Sequence, residues 1–172
     1  MFAYDATAGA PRGVAGAVAA AHAARPPRAP PLLAPGAAAF DAALLLFMLS
    51  AVPPEGHRGV FLEAAACLRP GGALLLRDYG AGDEAQGRFG AGARLTHQGD
   101  VMVRRDGTLA AFLSLPALRA HAAAAGLEET GWARGGAGGG GSRYLFRRYR
   151  NRATGEELQR VFVHAVWRKP LA

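Results

Sequence analysis

The sequence predicts one mixed α/β domain with a partly parallel sheet, and three features support this fold class. An almost continuous apolar run covers Phe40 to Leu49, an apolar pattern at helical spacing covers His57 to Leu68, and a second apolar strand follows the turn Pro70-Gly71-Gly72. Strand, helix and strand in this order form a right-handed crossover between parallel strands. Continuous apolar strands are typical of sheets covered on both faces. A chain of 172 residues, 51% of them apolar, can bury one compact core.

The N-terminal part of the chain is less regular. The segment from Phe2 to Asp5 is interpreted as the tail of a strand that ends on an acid. A helix is predicted over Ala10 to Ala24, because Pro11 suits a first helical turn and alanines follow it. An organelle transit peptide is the alternative, although Asp5 disfavours it. Residues 25–37 hold five of the eleven prolines and are expected to form an irregular connection.

Three polar or aromatic residues end the second apolar strand: Arg77, Asp78 and Tyr79. Ligands in open α/β sheets bind at the carboxyl ends of the strands, so a site is expected there. We expect the three side chains to project together into one cleft. A surface ion pair between Arg77 and Asp78, and a packing role for Tyr79, are the structural alternatives.

Shorter elements are predicted after Gly80. A short helix is expected from Asp83 to Phe89 with Asp83 as its N-cap, and Asp106-Gly107 between apolar arms predicts a hairpin inserted over Val101 to Leu113. The remaining expectations are a helix over Leu115 to Ala125 closed by Gly126, a strand over Leu127 to Arg134, a Gly-rich loop at residues 135–142 and a C-terminal antiparallel strand pair.

The charge balance favours an anionic partner such as nucleic acid, since Lys and Arg exceed Asp and Glu by 20 to 13. Arginines and aromatic residues alternate from Arg143 to Arg152, as in surfaces that track an RNA backbone; a solvated edge strand is the alternative. None of the five histidines has metal-ligand spacing, so no metal is expected. The single Cys67 indicates a reducing compartment, and the longest apolar run is too short to span a bilayer.

One competing motif is a dinucleotide-binding pattern. Gly80 to Ala85 satisfies G-x-G-x-x-A between a predicted strand and a predicted helix. Asp83 and Glu84 would place two carboxylates where the pyrophosphate should bind, which disfavours this interpretation.

The order of elements resembles the Rossmann-like methyltransferases that use S-adenosylmethionine, and within them the enzymes that make N3-methylcytidine in tRNA. The residues that carry the resemblance are Leu49-Ser50-Ala51-Val52-Pro53, Leu68-Arg69-Pro70-Gly71-Gly72, Arg77-Asp78-Tyr79-Gly80 with Asp83, Gln86 and Arg88, Val103-Arg104-Arg105-Asp106-Gly107-Thr108, Asn151-Arg152, Arg160-Val161 and Arg168-Lys169-Pro170. The Pro-Gly-Gly turn alone is weakly specific. The combination of the Arg-Asp-Tyr-Gly block with the Asp-Gly-Thr hairpin is much sharper.

The resemblance implies a Rossmann-like sheet that lacks its first strand and the Gly-rich cofactor loop after it, in a single partial domain over residues 1–172. It implies S-adenosylmethionine as cofactor, with Asp5 and Leu46 as cofactor contacts, and Asp78 as a catalytic residue that stabilises positive charge on the methylated base. It implies substrate contacts from Arg77, Tyr79, Arg88, Arg148, Asn151 and Arg152.

The expected activity is therefore cytosine-N3 methylation in the anticodon loop of tRNA. The alternative is that this chain is a truncated form without activity. The implied partners are tRNA and, as a positioning partner, an aminoacyl-tRNA synthetase. A cytoplasmic location is expected, with nucleus and organelles open. Two alternatives remain, a non-catalytic RNA-binding remnant and a small-molecule methyltransferase.

Overall fold

The computed structural model describes residues 40–89, 93–95, 100–131, 141–150 and 152–171. Several sequence predictions lie outside these ranges: the strand ending at Asp5, the helix over Ala10 to Ala24, the Pro-rich connection at 25–37, Asn151 and most of the Gly-rich loop.

The described chain contains seven strands and three α-helices. Their bounds are β1 Phe40–Leu46, a 3-10 turn Leu49–Ala51, α1 Pro54–Cys67, β2 Leu68–Tyr79, α2 Glu84–Gly87, β3 Val101–Val103, β4 Leu109–Ala111, α3 Leu115–Ala124, β5 Glu128–Glu129, β6 Arg143–Arg150 and β7 Glu157–Arg168.

The main sheet is mixed, as predicted. β1 pairs with β2 in parallel, and β2 pairs with β7 antiparallel. β5 and β6 both pair antiparallel with β7, β5 near its end and β6 along its first part. The predicted C-terminal hairpin is therefore confirmed. The inserted Asp-Gly hairpin is also confirmed: β3 and β4 form a separate two-stranded sheet, and Gly107 in its turn has a φ of 80°.

Several element boundaries differ from the prediction. Strand β1 ends at Leu46 rather than at Leu49, and α2 covers Glu84–Gly87 rather than Asp83 to Phe89. Helix α1 begins at Pro54 rather than at His57, because proline is well suited to the first helical position. Strand β2 begins at Leu68, immediately after α1, so Pro70-Gly71-Gly72 lies inside the strand. The register shift between Phe40 and Ala42 accommodates this turn as a bulge, and Gly71 has a φ of 78°.

The hydrophobic core lies on one face of the main sheet. The rings of Trp167 in β7 and Phe61 in α1 meet at 5.4 Å between centroids, and both side chains are fully buried. Leu118 of α3 belongs to the same cluster. The Lys169 ammonium donates to the carbonyl oxygens of Ala65 and Leu68, so a cation stabilises the C-terminus of α1.

Candidate active site at the carboxyl ends of β1 and β2

The parallel pair β1 and β2 brings two strand ends to one edge of the sheet. Beyond Leu46, the last residue of β1, the chain passes through Phe47 and then into the 3-10 turn. Phe47 has a φ of 50°, a left-handed conformation that is uncommon for a residue with a bulky side chain. Phe47 lies next to the carboxyl end of β2, and ligands in open α/β sheets bind at such strand ends.

Asp78 is the buried acid of this edge. Its side chain is fully buried, and its Oδ2 accepts the backbone N–H of Ser50 at 3.0 Å. Its Oδ1 accepts the N–H of Tyr79 at 2.8 Å. A buried carboxylate that receives two N–H groups is well compensated for its lost hydration. Asp78 therefore ties the turn after β1 to the end of β2.

His57 of α1 holds the same turn from its other side. Its Nε2 donates to the carbonyl oxygens of Leu49, at 3.0 Å, and Val52, at 2.9 Å. Burial lowers the pKa of His57 below 6.5, while the two carbonyls and the charge of Asp78 oppose that shift. The histidine is thus held neutral at pH 7 with its proton on Nε2, because both partners are acceptors.

Arg77 and Tyr79 lie on the opposite face of β2 from Asp78. The Arg77 guanidinium lies between the rings of Phe47, at 5.6 Å, and Phe162, at 5.2 Å. The Tyr79 ring lies 5.3 Å from Phe47 and 6.0 Å from Phe162. Within the described part of the chain, the buried Nε of Arg77 has no hydrogen-bond partner.

The structure therefore divides the three residues that were expected to share a cleft. Successive side chains of a strand point to opposite faces, so Asp78 cannot project with its two neighbours. The alternative of an Arg77–Asp78 surface ion pair is also wrong, because Asp78 is fully buried on the core side. The packing alternative for Tyr79 agrees with its ring contacts to Phe47 and Phe162.

Asp83 is the predicted N-cap of α2, and the structure confirms this role. Its carboxylate accepts the N–H of Ala85 at 2.8 Å. It also accepts from Arg160 Nε at 2.8 Å and from the N–H of Val161 at 2.9 Å, which joins α2 to β7. The Arg160 guanidinium in turn lies 4.9 Å from the centre of the Tyr79 ring.

A cavity of about 220 Å³ opens beside Tyr79. Phe89, Phe112 and Tyr79 supply rings to its wall, and Arg104 and Arg160 supply guanidinium groups. Aromatic rings and guanidinium planes together are typical of sites that hold unstacked bases.

The other predicted site residues are more scattered. Leu46 is 55% exposed at the end of β1. Arg88 forms ion pairs with Glu84, at 2.9 Å, and Glu156, at 2.8 Å. Arg148 of β6 points to the other side of the sheet from Arg77, and its Nε lies 3.9 Å from Glu157. Arg152 follows β6 and is exposed. Asp5 and Asn151 lie outside the described residues.

Sequence reasoning missed Phe47, Phe162 and Arg160 as parts of this site. Phe47 and Phe162 are apolar residues within or next to strands, and nothing in their spacing separates them from core residues. Arg160 carried a signal only as a member of the Arg160-Val161 pair.

Two further observations concern the described ranges alone. None of their helices is long and apolar enough to cross a membrane. They also contain no group of three His, Cys, Asp or Glu side chains that could hold a metal ion.

Comparison with known proteins gives relatives for this chain, although no protein-family model matches it. The chain is 38% identical to tRNA N(3)-cytidine methyltransferase METTL6 of Mus musculus over 130 residues, which are 76% of this chain and 42% of that protein. It is 36% identical to tRNA N(3)-methylcytidine methyltransferase Mettl2 of Drosophila melanogaster over 132 residues, 76% of this chain and 37% of that protein.

A solved structure gives the fold. A SAM-dependent methyltransferase from Methanosarcina mazei superposes with a TM-score of 0.54 at 18% identity, covering 81% of this chain and 64% of that one. The fold is therefore that of the Rossmann-like SAM-dependent methyltransferases, as the sequence predicted. The chain is similar to the tRNA N(3)-cytidine methyltransferases over three quarters of its length, and it spans about two fifths of the METTL6 protein that it matches.

Proposed function

We propose that this chain acts as an S-adenosylmethionine-dependent methyltransferase on N3 of cytosine in the anticodon loop of tRNA. The observation that carries the proposal is the 38% identity over 130 residues to a tRNA N(3)-cytidine methyltransferase. The methyltransferase fold and the arginine-aromatic arrangement at the strand ends support it.

The cofactor side of the proposal starts from the exposed end of β1. When bound, the cofactor supplies a sulfonium methyl group, the N3 lone pair of cytosine forms the new bond, and the electron pair of the broken C–S bond goes to sulfur. Leu46 and Leu44 share one face of β1 and are 55% and 63% exposed, so they fit an apolar wall for the cofactor. We propose Asp5 as the acceptor for the ribose hydroxyls.

The substrate side rests on Arg77, Tyr79 and Phe47. The cytosine N3 lone pair is free at neutral pH, so no strong general base is required and positioning does most of the catalytic work. Rings such as Phe47 and Tyr79 offer stacking surfaces for an unstacked base. We propose that the Arg77 guanidinium, beside the rings of Phe47 and Phe162, donates to the base carbonyl or to a phosphate.

Asp78 keeps a proposed catalytic contribution, but through position and charge. It holds the Ser50 turn next to the proposed base site. Its carboxylate is also a fixed negative charge near the place where the methylated base becomes positive. We propose Arg88, Arg148, Asn151 and Arg152 as outer contacts to tRNA.

The test is methyl transfer to unmodified tRNA, followed by nucleoside mass spectrometry. We expect N3-methylcytidine to form, and we expect Asp78→Asn to lower the rate by about tenfold or more while tRNA affinity changes by less than about twofold. Asp106→Asn, at the exposed hairpin tip, is the matched control and should keep the rate.

Two outcomes would overturn the proposal. Binding of tRNA without any methylated product would favour a non-catalytic RNA-binding chain. Methylation of small acceptors alone would favour a small-molecule methyltransferase.

An aminoacyl-tRNA synthetase as positioning partner and a cytoplasmic location remain parts of the proposal. The test is co-purification of a synthetase with the tagged chain, before and after ribonuclease treatment. Loss of the synthetase after the treatment would show that the contact depends on tRNA, and its retention would show a direct contact.

A further inference from the structure

One face of the main sheet collects positive charge from three neighbouring strands. Cross-strand pairing places Arg77 of β2 opposite His164 of β7, and His164 opposite Arg143 of β6. Arg147 of β6 pairs with Arg160 of β7 in the same way. Paired residues point to the same side of a sheet, and so do residues two apart. We call this set, with the rings of Tyr79, Phe162 and Tyr149, the basic sheet face.

Among the described residues, only one arginine of this face is paired with an acid. Like charges directly opposite one another destabilise a sheet, and here Arg147 faces Arg160. Asp83 pairs with Arg160, but Arg77, Arg143 and Arg147 have no ion-pair partner among the described residues.

The same crowding of charge is visible at His164. Burial lowers its pKa below 6.5, and the neighbouring guanidinium groups of Arg77, Arg143 and Arg147 lower it further. The opposite face of the β6–β7 hairpin differs, since there Arg148 lies 3.9 Å from Glu157.

Aromatic rings lie between these charges. Phe162 is at the centre: its ring lies 5.2 Å from the Arg77 guanidinium, 5.8 Å from that of Arg160 and 6.2 Å from the Tyr149 ring. Tyr149 is 48% exposed, so one side of its ring is open to a ligand. A positively charged track with aromatic platforms is the arrangement that binds single-stranded nucleic acid, because bases stack while phosphates meet cations.

We propose that the basic sheet face binds the single-stranded RNA segment that leads into the strand-end site. Arg143 and Arg147 contact phosphates, and Tyr149 stacks on a base. The inference rests on the proposed function and deepens it, since it assigns a path across β6 and β7 toward Arg77. Charge complementarity selects a polyanion, and the open ring selects one with unstacked bases.

The test compares two double variants with the same change in charge. Arg143→Gln/Arg147→Gln removes two charges from the basic sheet face. Arg58→Gln/Arg69→Gln removes two charges elsewhere, one from helix α1 and one from the first residues of β2, where the Arg69 side chain is 57% exposed. Binding of a fluorescent single-stranded RNA is measured by anisotropy at several salt concentrations, with the far-ultraviolet circular dichroism of each variant as the folding control.

We expect the first double variant to lose affinity by about tenfold or more, and its salt slope to fall by about 1.4, or 0.7 for each lost phosphate contact. The control variant should lose less than about threefold, because charges beyond about 8 Å are screened at physiological salt. Tyr149→Leu should lower the affinity for single-stranded RNA by about fivefold or more and leave the affinity for a duplex unchanged.

Equal losses in both double variants would overturn the inference while the proposed methylation could still stand. Equal affinity for duplex and single strand, or for polyglutamate, would also overturn it. Conversely, a selective loss in a chain that makes no N3-methylcytidine would support the basic sheet face and refute the proposed function.

Discussion

The carboxylate of Asp83 accepts hydrogen bonds from three different residues, and its removal gives a sharp test of the structure. Its side chain is fully buried and accepts hydrogen bonds from the N–H groups of Ala85 and Val161 and from Arg160 Nε. Asp83→Ala removes the acceptor of all three donors at once, and of the hydrogen bonds that join α2 to β7 it leaves the one from the N–H of Gln159 to Glu84.

The expected cost can be built from these contacts. Loss of the N-cap costs about 1 kcal/mol. The N–H of Val161, a buried residue, is left without its acceptor, which costs about 1–3 kcal/mol. Arg160 adds little, since its side chain is 23% exposed and can reach water. We therefore expect a loss of about 2–4 kcal/mol, a large part of the 5–15 kcal/mol that is typical of a domain.

Equilibrium urea unfolding measures this loss. With a slope of about 2 kcal/mol/M, the midpoint should fall by about 1–2 M. Asp41→Ala is the matched control: Asp41 also pairs with an arginine, Arg69, but the two side chains are 77% and 57% exposed, so the change should stay within about 1 kcal/mol.

The reasoning would be refuted if Asp83→Ala and Asp41→Ala shifted the midpoint equally. Asp83→Asn gives a second check. The asparagine keeps one oxygen acceptor for a backbone N–H but loses the charge that faces Arg160. The free energy of unfolding of this variant should therefore lie between those of the wild type and the alanine variant.

Two further predictions concern glycines and histidines. A Cβ at Gly72 would lie 2.9 Å from the carbonyl oxygen of Arg69, so Gly72→Ala should lower the free energy of unfolding. A Cβ at Gly59, inside α1, would meet open space, so Gly59→Ala should raise the free energy of unfolding by about 0.5–1 kcal/mol. The urea midpoints of the two variants should therefore move in opposite directions. Burial lowers the pKa of His57, His121 and His164 below 6.5, so the folded state keeps them neutral and stability is lost as pH falls through and below 6.5. A urea midpoint that rises as the pH is lowered from 7.5 to 5.5 would contradict this prediction.

The order of elements could be predicted from local pattern, and so could several individual roles. The apolar run at β1, the helical spacing of α1 and the Asp106-Gly107 turn each depend on a few adjacent residues. Asp83 was expected as an N-cap for the same reason, since a cap acts on the residue two positions along. The bounds of β2 were missed because pairing with β1 and β7 incorporates the glycine turn into the strand.

The composition of the site depended on tertiary structure. Arg77, Asp78 and Tyr79 are adjacent in the chain, yet the strand sends Asp78 to the core and its neighbours to the other face. Phe47, Arg160 and Phe162 join Arg77 and Tyr79 from distant positions, through the register of β7 and the left-handed turn after β1.

By itself, the sequence determined the class of fold and the edge of the sheet that carries the candidate site, because hydrophobic periodicity and turn residues act over a few positions. The tertiary structure alone decided which charges face one another across β2, β7 and β6. Strand register is set by pairing across long sequence separations, and a shift of one residue would send every one of these side chains to the opposite face.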